Sequence, residues 1–350
     1  MKRLSLLLLL TAIAAEGFGA TCPANNIPVV TLPPHQVAGF SWGNVIRPMN
    51  DACVSSIAVE PANDAAWYVG GVSGLYMTKN KGQTWTKPLS GQVNVLRLVM
   101  AGPTQLVYAA IGKKLLLSRD HGANWNVIKT FAQPVASVLV ANSTLYVGLG
   151  WSNHVDPSGV FTSNLGGGLM TFHPFGAGQT GLIVWTLSRN PTNGTLYAGT
   201  EIFDHPDPYH PPFFRSTNNA ATWTNVAGTL KWHAIDSAVR PADGYVYALL
   251  EDPGIYSSAN QGNSWIPPNP TSPSLGLSLL MDPKTPTRLY AGRQHAGTQT
   301  GGLFLSTNSG NTVQLIGLKG AAVSDIALNG AGTQIYAAAY ASGIYTSAVP

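Results

Sequence analysis

One eight-residue turn recurs along the whole chain, and no other feature limits the fold as strongly. Its clear copies are TKNKGQTW from residue 78, SRDHGANW from 118, STNNAATW from 216, SANQGNSW from 258 and STNSGNTV from 306. A weaker copy, TSNLGGGL, starts at 162 and a last one, SAV, at 347, so consecutive starts are 40 to 54 residues apart. Self-similarity at such a period predicts an array of supersecondary units.

Each repeat contains the same order of strand-forming segments. A tetrapeptide such as LYAG, at 196–199 and again at 289–292, precedes each turn, and a β-rich run such as LIVWTLSRNP lies upstream of it. Every repeat is therefore predicted to form four antiparallel strands joined by turns and one loop. Seven such units predict an all-β fold, a seven-bladed β-propeller of four-stranded blades, because each blade buries its faces only against its neighbours.

The seventh repeat ends at Pro350, before its fourth strand. An incomplete last blade would expose a sheet edge, so we expect an N-terminal strand to close the ring. The arm 21–50 is placed to supply it, and IPVVTL (27–32) is the best strand candidate within the arm. A disulfide between the two cysteines of the chain, Cys22 and Cys53, would reinforce this closure by on the order of 3 kcal/mol in an oxidising compartment.

The first 20 residues have the layout of a secretory signal peptide, with Lys2 and Arg3 before an apolar run that ends in small residues. The run is short for a membrane anchor, so we expect residues 1–20 to be removed. Residues 21–350 would then form a single secreted or periplasmic propeller without a membrane span. The formal net charge is +4 and there is no block of Lys and Arg, so nucleic acid is not an expected partner. We expect a monomer without a cofactor.

The polar residues of the repeated turn have a folding role in this interpretation. An Asn or Asp side-chain oxygen at the third position accepts backbone N–H groups across the turn, and a Gly two residues later takes a positive φ without steric cost. The third-position residues are Asn80, Asp120, Asn164, Asn218, Asn260 and Asn308. Most of them are neutral amides, which are poor sole ligands for hard cations, so no metal is expected at the turns.

The pattern Ser/Thr-x-Asp-x-Gly-x-Thr-Trp resembles the Asp-box, or bacterial neuraminidase repeat, over essentially the whole chain after the leader. Asp-box propellers include sialidases, sortilin-type receptors, xyloglucanase-type glycoside hydrolases and photosystem II assembly factors. The resemblance implies the propeller fold and a structural role for the boxes. It offers two kinds of function, which are partner binding and glycoside hydrolysis.

The residues that glycosidases of this group require are not evident. VIRP (45–48) is one residue short of the sialidase element Tyr/Phe-Arg-Ile-Pro. Repeats such as LLMDPKTPTRLYAG (279–292) look more like xyloglucanase blades, but GVSG (71–74), the loop where that family carries a catalytic Asp, has no carboxylate. Asp236 and Asp325 lie in first strands, where hydrogen-bonded channel residues are the commoner interpretation.

Three of the loops between second and third strands are expanded, namely 148–159, 199–212 and 292–302. They lie on the face opposite the repeated turns, and a connection between blades adds one tryptophan to that face. The candidate ligand-binding residues are Trp151, His154, Glu201, Asp204, His205, Tyr209, His210, Trp232, Arg293 and His295. Long surface loops also collect polar and proline residues without a function, and this alternative stays open.

The sequence thus predicts an exported propeller that binds a protein or carbohydrate partner through the face bearing the expanded loops. Exposed aromatic rings stack on sugars or peptides while polar neighbours fix their orientation. The alternative is a carbohydrate-active hydrolase with an atypical site, which needs two carboxylates about 5–10 Å apart in one concave site. His205 and His210 do not have a recognised metal-ligand spacing, so no metal is expected.

Overall fold

The computed structural model describes residues 36–37, 39–43, 46–48, 53–101, 104–150, 156–202, 211–252, 254–268, 276–294 and 301–350. Within these residues seven antiparallel sheets follow one another along the chain, and each first strand neighbours the first strands of the adjacent sheets, the seventh also neighbouring the first. The predicted all-β, seven-bladed β-propeller is confirmed. The leader 1–20 and the strand candidate 27–32 lie outside the described residues.

The strands of each blade run in chain order from the central axis outwards. A short N-terminal hairpin consists of β1 (Gln36–Val37) and β2 (Phe40–Ser41). Blade 1 comprises β3 (Val54–Glu60), β4 (Asn63–Gly71), β5 (Gly74–Thr78) and β6 (Thr86–Ser90), and blade 2 comprises β7 (Val93–Ala101), β8 (Thr104–Ile111), β9 (Lys114–Ser118) and β10 (Asn126–Thr130). Blade 3 comprises β11 (Val135–Ala141), β12 (Thr144–Leu149), β13 (Gly159–Asn164) and β14 (Thr171–Pro174), and blade 4 comprises β15 (Leu182–Arg189), β16 (Leu196–Ile202), β17 (Phe213–Ser216) and β18 (Thr224–Asn225).

The remaining three blades complete the ring. Blade 5 comprises β19 (Ala234–Val239), β20 (Val246–Leu250) and β21 (Ile255–Ser258), and blade 6 comprises β22 (Gly276–Met281), β23 (Leu289–Arg293), β24 (Gly302–Ser306) and β25 (Gln314–Gly317). Blade 7 comprises β26 (Ala322–Leu328), β27 (Gln334–Tyr340) and β28 (Gly343–Ala348). Blade 5 keeps only a remnant of its fourth strand, a bridge between Ser257 and Ile266. Two prolines follow Ile266, and proline has no N–H to extend the ladder.

The outer edge of β28 is paired with the N-terminal segment. Ile46 and Ile344 exchange two backbone hydrogen bonds of 2.8 Å, and the N–H of Gly43 donates to the carbonyl oxygen of Thr346 at 3.0 Å. An N-terminal segment therefore closes the ring, as predicted, through Gly43 and Ile46. The strand candidate 27–32 lies outside the described residues, so its contribution stays a prediction. Because 43–46 lie shortly before β3, little chain is needed to connect blade 7 to blade 1.

Two aromatic side chains anchor this segment between blades 6 and 7. Phe40 and Trp42 are buried, and the indole N–H of Trp42 donates to the backbone oxygen of Ile316 at 2.8 Å. The ring of Phe40 stacks on Trp42 and contacts Tyr290 edge to face. Both belong to a continuous apolar cluster formed by the two blades, so the closure rests on side-chain packing as well as on backbone pairing.

The core is divided among the interfaces between blades. The tyrosines of the recurring tetrapeptide are buried in every blade in which they occur. These residues are Tyr68, Tyr108, Tyr146, Tyr197, Tyr247, Tyr290 and Tyr336. Cys53 is buried just before β3, while Cys22 lies outside the described residues, so the Cys22–Cys53 disulfide stays a prediction.

The repeated turns are held by the same side-chain hydrogen bonds. In the first copy, the N–H of Thr84 donates to Asn80 Oδ1 at 2.9 Å and the N–H of Gly82 donates to Thr78 Oγ1 at 3.0 Å. The copies that start at 118, 216, 258 and 306 make the equivalent bonds. In the weaker copy, Asn164 Oδ1 accepts the N–H of Gly166. These bonds tie the third strand to the start of the fourth.

We expect Asn80→Ala to lower the free energy of unfolding by about 1–2 kcal/mol, because a backbone N–H and two hydroxyl contacts lose their partner. Asn80→Asp keeps the acceptor oxygen and should cost less than half as much. Urea denaturation of the two variants and the wild type measures the difference. Equal losses for Ala and Asp would show that the side-chain oxygen does not stabilise the turn.

Candidate functional site

The described part of the expanded-loop face contains three of the predicted site residues. In antiparallel blades the second-to-third-strand loops and the connections between blades share one face, and the repeated turns lie on the other. Glu201, Trp232 and Arg293 lie on the expanded-loop face. The other candidates lie outside the described residues, and their roles stay predictions: Trp151, His154, Asp204, His205, Tyr209, His210 and His295.

Glu201 is a buried carboxyl group near the end of β16. Its side chain is 9% exposed, and the indole N–H of Trp185, on the neighbouring strand β15, donates to its Oε2 atom. The pKa of Glu201 is raised to about 7, chiefly by burial, while the hydrogen bond from Trp185 lowers it and the Glu251 carboxylate adds a smaller increase. Near neutral pH this group therefore changes its charge, which an exposed glutamate does not do.

A histidine links Glu201 to a second carboxylate. His233 precedes β19, and its Nδ1 atom lies 3.7 Å from Glu201 Oε1 while its Nε2 atom lies 3.9 Å from Glu251 Oε2. The backbone N–H of Glu251 also donates to the carbonyl oxygen of His233 at 3.0 Å. Since both carboxylates contact one imidazole, they lie within about 10 Å of each other. We call these three residues the Glu–His–Glu cluster.

The register of the repeats explains why the two glutamates meet. Each lies four residues after the tetrapeptide tyrosine of its blade, Glu201 after Tyr197 and Glu251 after Tyr247. Equivalent positions in adjacent blades are neighbours around the ring, so acids at both positions come together. Glu201 was a predicted site residue because it belongs to a long loop, whereas Glu251 starts a minimal loop and was not predicted. Aligning the repeats on the tyrosine would have found it.

Trp232 and Arg293 have different surroundings. Trp232 is 43% exposed and directly precedes His233 in the connection between blades 4 and 5. Arg293 lies at the end of β23, where its guanidinium is 5.8 Å from the centre of the Phe304 ring, and burial lowers its pKa. Trp232 thus adjoins the Glu–His–Glu cluster through its chain neighbour His233, whereas Arg293 contacts an aromatic ring of its own blade.

Every first strand contains a β-bulge at an equivalent position. The register shifts by one residue at Ser55, Asn94, Ala136, Trp185, Ile235, Leu277 and Ser324. In blades 4, 5 and 6 the bulged residues are large and apolar, and Trp185 and Leu277 pack against Ile235. We call these three side chains the apolar floor. Because first strands surround the central axis, the apolar floor lies at the channel mouth on the expanded-loop face. The apolar floor was not predicted from the sequence, because the position of a bulge depends on how the strands pair.

Two carboxylates in first strands bind backbone N–H groups of the next blade. Asp236 Oδ2 accepts the N–H of Leu279 at 2.7 Å, and Asp325 Oδ2 accepts the N–H of Ile57 at 2.9 Å. The other carboxylate oxygen of each accepts the N–H of the following residue. Asp236 and Asp325 therefore link adjacent blades through hydrogen bonds, which agrees with the interpretation of both as hydrogen-bonded channel residues.

A small recess lies at the base of the expanded loop of blade 3. Its volume is about 150 Å³, and its lining includes Gln133, Asp156, Ser158 and Phe161. Gln133 Nε2 donates to Asp156 Oδ2 at 2.9 Å. The recess is smaller than sites that bind drug-sized ligands, so we assign it no ligand.

In the described ranges, no group of three or more His, Cys, Asp or Glu side chains is arranged so that it could hold a metal ion, and this includes the Glu–His–Glu cluster. Among the same residues, no helix has the length and apolar character that crossing a bilayer requires.

No family model and no curated protein matches the sequence. The fold is nevertheless shared with several solved structures. YCF48 bound to D1 peptide superposes with a TM-score of 0.59 at 15% identity, covering 88% of this chain and 97% of that one. A GH74 xyloglucanase from Xanthomonas campestris gives a TM-score of 0.65 at 15% identity over 87% of this chain, which spans 53% of the xyloglucanase.

A third similar structure is the extracellular domain of a proposed hybrid two-component system from B. thetaiotaomicron. It gives a TM-score of 0.66 at 13% identity and covers 89% of this chain and 40% of that chain. At this level of identity the three similarities support the propeller fold and no particular activity.

Proposed function

We propose that the protein is an exported propeller that binds a protein or carbohydrate partner through the expanded-loop face. The observation that carries the proposal is the exposed side chain of Trp232, which directly precedes His233 of the Glu–His–Glu cluster in the chain. A large aromatic ring next to charged groups offers both contact area and orientation to a ligand. A propeller of similar fold, YCF48, has been captured with a peptide, which is a precedent for partner binding on this architecture.

Export and the Cys22–Cys53 disulfide belong to this proposal. The leader-like residues 1–20 support export, and an extracellular domain of similar fold supports a location outside the cytoplasm. The expanded loops 148–159, 199–212 and 292–302 would form the rim of the binding face, and the described residues of blades 4 and 5 would form its floor.

Glycoside hydrolysis is the second candidate function, and one observation favours it. Glu201 has a pKa of about 7 beside an indole, and a second carboxylate lies within about 10 Å. A proton-donating carboxylic acid and a carboxylate base are what hydrolysis of a glycosidic bond requires. Against this role, the imidazole of His233 occupies the space between the two carboxylates, where a sugar would have to lie.

Trp232→Ala is expected to weaken partner binding by about tenfold or more, because a large exposed aromatic ring is lost from the proposed binding face. A glycan array and a pull-down with purified wild type identify the partner, and titration of the variant then measures the loss. Leu169→Ala is the matched control, since Leu169 is 92% exposed on the opposite face.

Two outcomes of this experiment contradict the proposals. If Trp232→Ala binds the partner with the same affinity as the wild type and Leu169→Ala, the part of the expanded-loop face around Trp232 does not bind the partner. If an arrayed glycan is bound but no reducing ends are released by the wild type, the hydrolase candidate is wrong.

A further inference from the structure

The connection between blades 4 and 5 carries Trp232 between two fixed neighbours. On one side Leu230 is buried in the apolar cluster of these blades, and its N–H donates to the carbonyl oxygen of Ala227 at 2.8 Å. On the other side His233 leads directly into β19. Among the described residues, none makes a hydrogen bond, ion pair or ring contact with the Trp232 side chain. The direction in which this indole points is therefore set by the backbone on either side of it.

His233 is held at both nitrogens of its imidazole ring. Nδ1 lies 3.7 Å from Glu201 Oε1 and Nε2 lies 3.9 Å from Glu251 Oε2, which are ion-pair distances. Its backbone is fixed as well, because the N–H of Glu251 donates to its carbonyl oxygen at 3.0 Å. Glu201 belongs to β16 of blade 4 and Glu251 directly follows β20 of blade 5. The Glu–His–Glu cluster thus ties the connection to both of the blades that it joins, and a carboxylate at each nitrogen fixes the orientation of the ring.

Trp185 completes a closed ring of contacts around His233. Its indole N–H donates to Glu201, and its side chain packs against Ile235, which follows His233 by two residues in the chain. Burial and this hydrogen bond hold the carboxyl group of Glu201 in one place, and that group in turn contacts His233. Supporting contacts of this kind hold a binding residue in its productive geometry before the ligand arrives.

Burial separates the role of Glu201 from that of Trp232. The side chains of Glu201 and His233 are 9% and 25% exposed, whereas Trp232 is 43% exposed. A partner that lies on this face contacts the indole but meets almost none of Glu201. An effect of Glu201 on affinity must therefore pass through His233, which it contacts, and through the backbone that His233 shares with Trp232.

We propose that His233, held by Glu201 and Glu251, is a positioning residue that fixes Trp232 in the conformation that binds the partner. This inference rests on the proposed function and deepens it, since it divides the site into one group that touches the partner and three that hold this group in place. Such positioning raises affinity, because the entropy of ordering the connection is lost on folding and not on binding.

The first measurement needs no partner. The protein is labelled with 5-fluorotryptophan, and the fluorine resonance that is missing from Trp232→Phe is assigned to Trp232. In His233→Ala we expect this resonance to narrow and to move towards that of the free amino acid, because the indole gains motion. His121→Ala is the matched control and should leave the resonance unchanged, since His121 lies in a repeated turn on the opposite face, with its Nδ1 atom 3.1 Å from the buried Glu60.

The second measurement is a double-mutant cycle with the partner found for the wild type. His233→Ala should raise the Kd by about fivefold or more. In the background of Trp232→Ala the same substitution should change the Kd by less than about twofold. Glu201→Gln should follow this pattern with a smaller effect, because the amide lacks the charge that attracts the imidazolium, and it decides the test if His233→Ala folds poorly. A residue that touched the partner itself would change the Kd equally in both backgrounds.

The outcomes separate this inference from the broader proposal. A Trp232 resonance that is the same in wild type and His233→Ala would overturn the positioning role, whatever the partner is. Equal effects of His233→Ala on the Kd in both backgrounds would also overturn it and would make His233 a contact residue, while partner binding stands. If no protein or glycan binds, or if Trp232→Ala binds the partner as the wild type does, the proposed function fails at this face and the positioning role fails with it.

Discussion

Replacing Trp42 with alanine is expected to lower the free energy of unfolding by about 3–5 kcal/mol. The side chain is 3% exposed, packs in the interface between blades 6 and 7, and donates its indole N–H to Ile316 O at 2.8 Å. Its loss leaves a cavity and an unpaired carbonyl oxygen at the position that closes the ring. The N-terminal segment would then be held by Phe40 and by hydrogen bonds to blade 7 from Ser41, Gly43, Ile46 and Arg47.

Guanidinium chloride denaturation measures the effect, and Trp232→Ala is the matched control. It removes the same side chain from a position that is 43% exposed, and we expect a change of less than about 1 kcal/mol there. Trp42→Phe should fall between the two, because it keeps most of the packing and loses the hydrogen bond. Equal stability of Trp42→Ala and Trp232→Ala would refute the anchoring role of Trp42.

The difference in free energy of unfolding between Glu201→Gln and the wild type is expected to shift in favour of the variant by about 3 kcal/mol between pH 4 and pH 8. Burial raises the pKa of Glu201 from 4.5 to about 7 in the folded state. Between these pH values the unfolded chain releases the proton and the folded chain keeps it. The wild type therefore loses stability as the pH rises from about 4.5 to about 7, and above pH 7 the loss is complete. Glutamine has no proton to release, so the variant does not have this dependence.

Denaturation of the wild type and Glu201→Gln at several pH values from 4 to 8 tests this expectation. The hydrogen bond from Trp185 can still be accepted by the amide oxygen of Gln, so the comparison isolates the charge. Asp64→Asn is the control, because Asp64 is an exposed carboxylate and its neutralisation should alter the pH profile by less than about 1 kcal/mol. A constant difference between wild type and Glu201→Gln across this pH range would show that Glu201 ionises as readily in the folded chain as in the unfolded one.

The candidate site was only partly accessible to sequence reasoning. Glu201 and Trp232 were predicted because they belong to an expanded loop and to a connection on the same face, and in the structure Glu201 contacts His233, the residue that follows Trp232. Glu251 was missed because a minimal loop gave no reason to select it. Trp185 was read as part of a first strand, and its contact with Glu201 depends on a bulge that only strand pairing creates.

The sequence alone determined the number of blades, the strand order and the chemistry of the repeated turns. These features are local, since a turn such as 78–85 and the strands beside it lie within one repeat and are stabilised by hydrogen bonds between near neighbours. Because these features recur along the chain, the blades could be predicted from the repeats without any knowledge of long-range contacts.

Contacts between distant residues were decided only by the tertiary structure. The ring is closed by Gly43 and Ile46, which pair with β28 about 300 positions away, and Asp325 accepts a hydrogen bond from Ile57 across the same junction. Glu201 and Glu251 lie 50 positions apart in the sequence and share one histidine because adjacent blades bring equivalent positions together. Such contacts depend on how the blades pack around the axis, and single segments of the sequence carry no signal for them.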